Sequence, residues 1–216
     1  MFVSRTRLLE ILSSKDFIWF GNIAADWQAI QHECEDAVQS NPNYWTDLVS
    51  VVDSWDGIGD QYNNAIQMGR DWGYTKENTR SWETTAQKQQ IRMQWEPDIV
   101  TNLPLQNGIN RPTLQPPGTT MPWHKDHFWY FKRQYPDNQQ FIVRFIVFIS
   151  DWSPGHFIQA GNSVIKSWLA GDVVLWHPDR MHLATNAGFA NKWTSNITGI
   201  LDETIEIPYT IAKEQL

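Results

Sequence analysis

The stretch from Pro116 to Phe131, PPGTTMPWHKDHFWYF, sets His124, Asp126 and His127 among five aromatic residues. His124 and Asp126 are separated by one residue, so on a β-strand their side chains point to the same face. An imidazole and a carboxylate on one face are two ligands for a divalent metal. A histidine from elsewhere would complete a two-His-one-carboxylate facial triad, which leaves coordination positions of iron open. Two downstream residues qualify, both within GDVVLWHPDRMHLATN: His177 and His182. His177 falls in the turn-like HPDR, whereas His182 opens the next β-prone run. Without a metal, His124, Asp126 and His182 would form a hydrogen-bonded polar cluster at a barrel mouth.

The remaining polar residues read differently. His127 points away from His124 on a strand and is a surface or supporting group. His156, in SPGHF, reads as a solvated turn residue, and His32 as a solvated position on a helix. Arg144 interrupts FIVRFIVFI on the face shared with Ile142, Ile146 and Phe148. A guanidinium on such a face needs an acceptor, because burying it alone costs several kcal/mol. It is either one half of a structural ion pair, an outward solvated group, or a bidentate clamp on a carboxylate of a bound ligand.

These residues must be positioned by regular elements, and the chain divides in texture near Pro104. Before it, DWQAIQHECEDAVQS places Trp27, Ile30, Cys34, Ala37 and Val38 on one helical face, with Asp26 as N-cap and NPN as a stop. Residues 53–80 read as loops, and a second helix is expected over 81–94. After Pro104, short β-prone runs alternate with Gly, Pro, Asn and Asp. Strands are expected at 113–115, 120–126, 141–150, 157–160, 163–167, 172–176, 182–186 and 193–201. This pattern predicts a mainly β fold with flanking α-helices, a jelly roll or related β-sandwich, in one domain. Residues 1–103 form its helical and loop N-terminal part, and 104–216 its β core.

The 216 residues are 41% hydrophobic and 19% charged, a globular composition. A net charge of −7 argues against a broad grip on nucleic acid. One cysteine, Cys34, cannot form an intramolecular disulfide, so a reducing, cytoplasmic setting is expected. The N-terminus is broken by Glu10, Lys15 and Asp16 and reads as no signal peptide, and no apolar run suits a bilayer. Most of the 13 tryptophans are expected in the core, with those near the chemistry available as a stacking surface.

From Pro116 to Gly199 the chain resembles the double-stranded β-helix core of iron(II)/2-oxoglutarate-dependent oxygenases, particularly the prolyl 4-hydroxylase-like branch. PPGTTMPWHKD resembles the family's glycine turn and His-x-Asp strand, and RFIVFISDW its central strand. GDVVLWHPDRMHLATN resembles its Gly-Asp turn, apolar strand and distal histidine, and KWTSNITG its last core strand. The resemblance implies that His124, Asp126 and His182 ligate Fe(II). It implies that Lys192, ten residues after His182, holds the distal carboxylate of 2-oxoglutarate. Thr194, on the same strand face as Lys192, is a second candidate for that carboxylate, and Arg144 a candidate for a carboxylate of the cosubstrate or substrate. Some branches place an arginine where Lys192 stands.

The activity implied is oxidation of a substrate C–H bond by O2, a dioxygenase reaction of the hydroxylase type, with release of succinate and CO2. The substrate implied is a small molecule or a peptide, a peptidyl proline being one case. Trp123, Phe128, Trp129, Tyr130 and Phe131 flank the metal strand and are candidate pocket walls. Two rivals remain: a cupin-like metalloenzyme that does not use 2-oxoglutarate, and a non-catalytic ligand-binding module on the same fold.

Overall fold

Along Ile142–Phe148, Val143, Phe145 and Val147 enter one apolar cluster while Ile146 and Phe148 enter another. This period of two makes the strand a wall between two layers. The computed structural model describes residues 2–50, 66–84 and 93–207. The main elements run, in chain order, β1 (Phe2–Ser4), α1 (Arg5–Ser14), β2 (Ile18–Asn22), α2 (Trp27–Ser40), β3 (Trp45–Thr46) and β4 (Ser81–Glu83). They continue with α3 (Glu96–Thr101), β5 (Leu105–Gln115), β6 (Thr119–His124), α4 (Trp129–Gln134), β7 (Ile142–Phe148) and β8 (His156–Ala160). The last are β9 (Ser163–Ile165), β10 (Asp172–Leu175), β11 (His182–Asn186), β12 (Lys192–Leu201) and β13 (Thr204–Glu206).

A seven-stranded sheet in the order β2-β10-β7-β12-β5-β4-β3 faces a four-stranded sheet in the order β6-β11-β8-β9. Every described pairing in them is antiparallel. This is the mainly β jelly roll with flanking helices that the strand pattern predicts, and the double-stranded β-helix that the resemblance implies. On its outer face the large sheet packs against α1 and α2 through Leu8, Leu12, Ile30 and Cys34. Between the sheets, Ile146, Phe148, Ile158 and Trp176 form a second core. The helix at Trp27–Ser40 starts at Asp26, whose side chain accepts from Ala29 N at 3.0 Å. Its buried face is the one the spacing predicts, and His32 is exposed.

The N-terminal part departs from the helical and loop reading. It supplies β2, β3 and β4 to the large sheet, and β1 pairs with β13. Ser81–Glu83, expected to begin a helix, is strand β4, paired to Thr113 and Leu114 of β5. The rest of that expected helix lies partly outside the described residues. Strands this short carry too few alternations to be read locally, and their pairing partners decide them. β5 is also longer than expected. Asn107, with φ 54°, forms an irregularity where the register with β12 shifts, so the strand continues through what reads as a turn.

The Gly-Asp turn before β10 has a steric cause. Gly171 has φ 91°, and a Cβ there would meet Ile23 O at 2.5 Å and Trp27 Nε1 at 2.6 Å. The turn thereby lets β10 begin beside β2 while the α2 N-terminus closes over it. Among the described residues, no helix is long and apolar enough to cross a membrane.

Candidate metal centre

β6 and β11 pair with His182 opposite His124, which brings the two imidazoles to 4.2 Å between ring centroids. Asp126 is not on the strand. β6 ends at His124, and Asp126 lies in the loop that follows, so the shared strand face expected for the pair does not exist. The loop nevertheless turns the carboxylate inward. Candidate ligand atoms of His124, Asp126 and His182 all lie within 4.8 Å of one another.

The protonation pattern favours a cation. His124 Nδ1 lies 2.7 Å from Pro122 O, and His182 Nδ1 lies 3.0 Å from Arg180 O. A carbonyl oxygen only accepts, so each Nδ1 carries the proton and each Nε2 offers a lone pair. Burial, aided by His182, pushes His124 down to about 4, and burial also lowers His182. Both rings are thus neutral at pH 7. For Asp126, burial is the largest influence and opposes ionisation, but Arg144, His182, His124 and Arg111 together outweigh it and hold the carboxyl below its ordinary value.

Arg144 projects from β7 on the expected face, where Nη1 donates to Asp126 Oδ1 and Nε donates to Thr198 Oγ1 at 3.0 Å. Of the readings open from sequence, the structure displays the ion pair. Phe128, in a left-handed conformation at φ 52°, sets its ring 5.2 Å from the guanidinium carbon. Asp126 Oδ2, by contrast, is buried without a hydrogen-bond partner and lies 3.7 Å from His182 Nε2. An orphaned, ionised oxygen beside two free imidazole nitrogens fits a divalent metal, which would satisfy all three.

A cavity between the sheets opens from this triad. Lys192 starts β12 and crosses to the small sheet, where Nζ donates to Phe157 O and Thr185 O, both at 3.2 Å. It is 1% exposed, and no carboxylate among the described residues pairs with it. Burial pushes its ammonium down to about 7. Thr194 follows on the same face and lines the cavity with it. Buried Asn186 donates to Gln115 O and Ala190 O at 2.8 Å, which anchors the turn leading to Lys192.

Several expectations change here. His156 is not solvated: it is 2% exposed at the start of β8, with Nε2 2.9 Å from Ala190 O. His177 stays in its loop, accepting from Asp179 N, and is outside the triad. His127 stacks on Trp129 at 5.4 Å. Trp123, Trp129 and Tyr130 are partly exposed rather than cavity wall, and Phe131 packs in a separate cluster. The aromatic wall is Trp176, 4.7 Å from His182. Arg111, Thr113, Gln115 and Asn196 also line the cavity and escape sequence reading. Asn196 was reachable by continuing the alternation from Lys192 and Thr194. Arg111 lies between Asn107-Gly108 and Pro112, which read as breakers.

The solved structures that resemble this chain agree with the architecture. A non-heme alpha ketoglutarate dependent carbocyclase, SnoK from nogalamycin biosynthesis, aligns with TM-score 0.56 and 8% identity, covering 95% of this chain and 89% of its own. A Pseudomonas putida prolyl-4-hydroxylase aligns with TM-score 0.51 and 13% identity, covering 91% and 98%. The chain has the fold of the 2-oxoglutarate oxygenases. No protein-family model matches the sequence, and a search of curated proteins finds no match. At such low identities the likeness concerns the fold.

Proposed function

We propose that the protein is an Fe(II)- and 2-oxoglutarate-dependent oxygenase that hydroxylates a C–H bond of a small-molecule or peptide substrate. The observation that carries this reading is Lys192, a buried ammonium without a carboxylate partner, in the same cavity as the His124–Asp126–His182 triad. His182 and Thr185, whose carbonyl holds Lys192, are three residues apart on β11, roughly 10 Å along the strand. That separation suits a dicarboxylate held at one end by a metal and at the other by an ammonium.

His124 and His182 would hold the metal through Nε2, and Asp126 through Oδ2. Arg144 helps keep Asp126 ionised and occupies its other oxygen. Lys192, with Thr194 beside it, takes the distal carboxylate through charge-assisted hydrogen bonds. Trp176, Ile146 and Ile158 keep the cavity wall dry on the triad's side. When bound, Fe(II) and 2-oxoglutarate supply the oxidising power of O2, consuming 2-oxoglutarate to succinate and CO2 as one oxygen atom enters the substrate.

Anaerobic addition of Fe(II) and 2-oxoglutarate should produce a visible charge-transfer band, and admitting O2 should then yield succinate. His182→Ala should lose both signals. Absence of band and succinate in the folded wild-type protein would refute this function.

A further inference from the structure

Every charged side chain on the cavity wall is a cation: Arg111, Arg144 and Lys192. Arg144 is satisfied by Asp126 and Thr198, and Lys192 by two carbonyls. Arg111 is different. Among the described residues its guanidinium donates no hydrogen bond, and its one ion pair, Nε to Glu83 Oε2, spans 3.7 Å. A planar group with five donors is therefore presented to the cavity with its hydrogen-bonding capacity unused.

Its position separates it from the cosubstrate end. Arg111 is opposite Asn196 on β12, whereas Lys192 is opposite Gln115. Four residues of strand, roughly 13 Å, separate the two rows. Arg144 is opposite Thr198, so Arg111 lies towards the triad's Arg144–Asp126 pair. The Arg111 side chain is 27% exposed, which places it on the accessible side of the cavity rather than at its buried end.

Charge balance points the same way. Among the described residues, Arg111, Arg144 and Lys192 face only Asp126 and Glu83, which leaves one positive charge. A divalent metal and a dianionic cosubstrate cancel each other and leave that surplus in place. We propose that the substrate carries a carboxylate, held bidentately by Arg111 beside Asn196, with its reacting carbon turned towards the triad. The assignment rests on the oxygenase reading for the role of the ligand, but the anion site itself is a property of Arg111 and Glu83.

The test is calorimetric, on the intact 216-residue chain loaded with redox-inert Zn(II) and 2-oxoglutarate. The probes are benzoate, phenylacetate, hexanoate and N-acetyl-L-leucine, each compared with its primary amide. At least one acid should bind about tenfold or more tightly than its amide, the scale of a charge-assisted contact. Arg111→Gln should abolish that preference while leaving the Kd of 2-oxoglutarate within about twofold, as expected for separated sites. Glu83→Gln, which frees the guanidinium, should tighten binding of the acids. If no acid outbinds its amide, or if Arg111→Gln weakens 2-oxoglutarate as Lys192→Ala does, the substrate-carboxylate site is wrong. Failure of 2-oxoglutarate to bind wild-type protein, with the acid preference intact, would instead refute the oxygenase reading.

Discussion

Arg144 donates to one oxygen of Asp126, and the other oxygen, Oδ2, faces His182 Nε2 at 3.7 Å with no hydrogen-bond partner. The ion pair divides the carboxylate into an oxygen held by the protein and an oxygen offered to a cation. The two ends of this arrangement come from different segments, since Asp126 follows β6 and Arg144 stands on β7.

Arg144→Met leaves Asp126 buried without its counter-charge, a change that costs about 3–5 kcal/mol for a broken buried pair. Metal affinity should fall about 10–100-fold, as when a supporting contact to a ligand is lost. Urea unfolding and calorimetric Zn(II) titration measure the two effects. An unaltered Zn(II) Kd in a folded Arg144→Met protein would show that Asp126 is oriented by other contacts.

Lys192→Ala should weaken 2-oxoglutarate about 10–100-fold, the worth of a hydrogen bond to a charged group, and leave Zn(II) binding unchanged. If the cosubstrate binds Lys192→Ala as it binds wild type, the carboxylate is held elsewhere.

The same lysine gives a pH dependence. Burial pushes its ammonium from 10.5 down to about 7. The free protein loses this proton as pH rises through 7, so 2-oxoglutarate affinity should drop about tenfold per pH unit above it. Stability moves in the opposite direction. Between about 7 and 10.5 the unfolded chain holds a proton that the folded chain lacks, so this group makes the ligand-free protein more stable as pH rises. Affinity that stays flat from pH 7 to 9 would contradict the assignment.

Arg180 ties the distal histidine to the N-terminal helix. Its carbonyl holds His182 Nδ1, while Nη2 donates to Ser13 O at 3.2 Å and Lys15 O at 2.9 Å. Arg180→Ala should cost about 1–3 kcal/mol by leaving these carbonyls unpaired. Its effect on Zn(II) affinity should be smaller than that of Arg144→Met, because the His182 contact uses backbone. Equal losses of metal affinity in the two variants would argue against that ranking.

Trp82 is fully buried, meets Trp193 edge-on at 6.1 Å, and donates from Nε1 to Asn41 O at 3.1 Å. It locks the short strand β4 beneath α2. Trp82→Ala should lose about 3–5 kcal/mol, and Trp82→Phe about 1–3 kcal/mol through the unpaired carbonyl. Thermal and urea unfolding distinguish the two, and similar losses would assign the whole effect to the hydrogen bond.

Legibility followed distance along the chain. His124 and Asp126 stand two residues apart, so a candidate ligand pair was readable from spacing although Asp126 lies in a loop, whereas the part given to Lys192 and Thr194 came with the family resemblance. The alternation in β7 and β12 was equally readable, because two-sided burial imposes it on consecutive residues. His156 was misread as solvated since only the fold reveals that Ala190 O sits beside its ring. β4 and the first half of β5 were missed because Asn107-Gly108 and Pro112 resemble chain breakers. Pro112 lies just beyond the end of the β4 ladder, where a missing N–H is tolerated.

The stretch PPGTTMPWHKDHFWYF, together with His182 and the β-prone runs after Pro104, supplied by itself the candidate ligand types and the β architecture that presents them. These depend on side-chain chemistry and on the two-residue period, both local properties. Tertiary structure decided that Asp126 reaches the site from a loop, that Arg144 belongs to it, and that Arg111 keeps its donors free. Each of these depends on how separate segments of the chain come together, and strand register, set by the packing of whole sheets, is what aligns them.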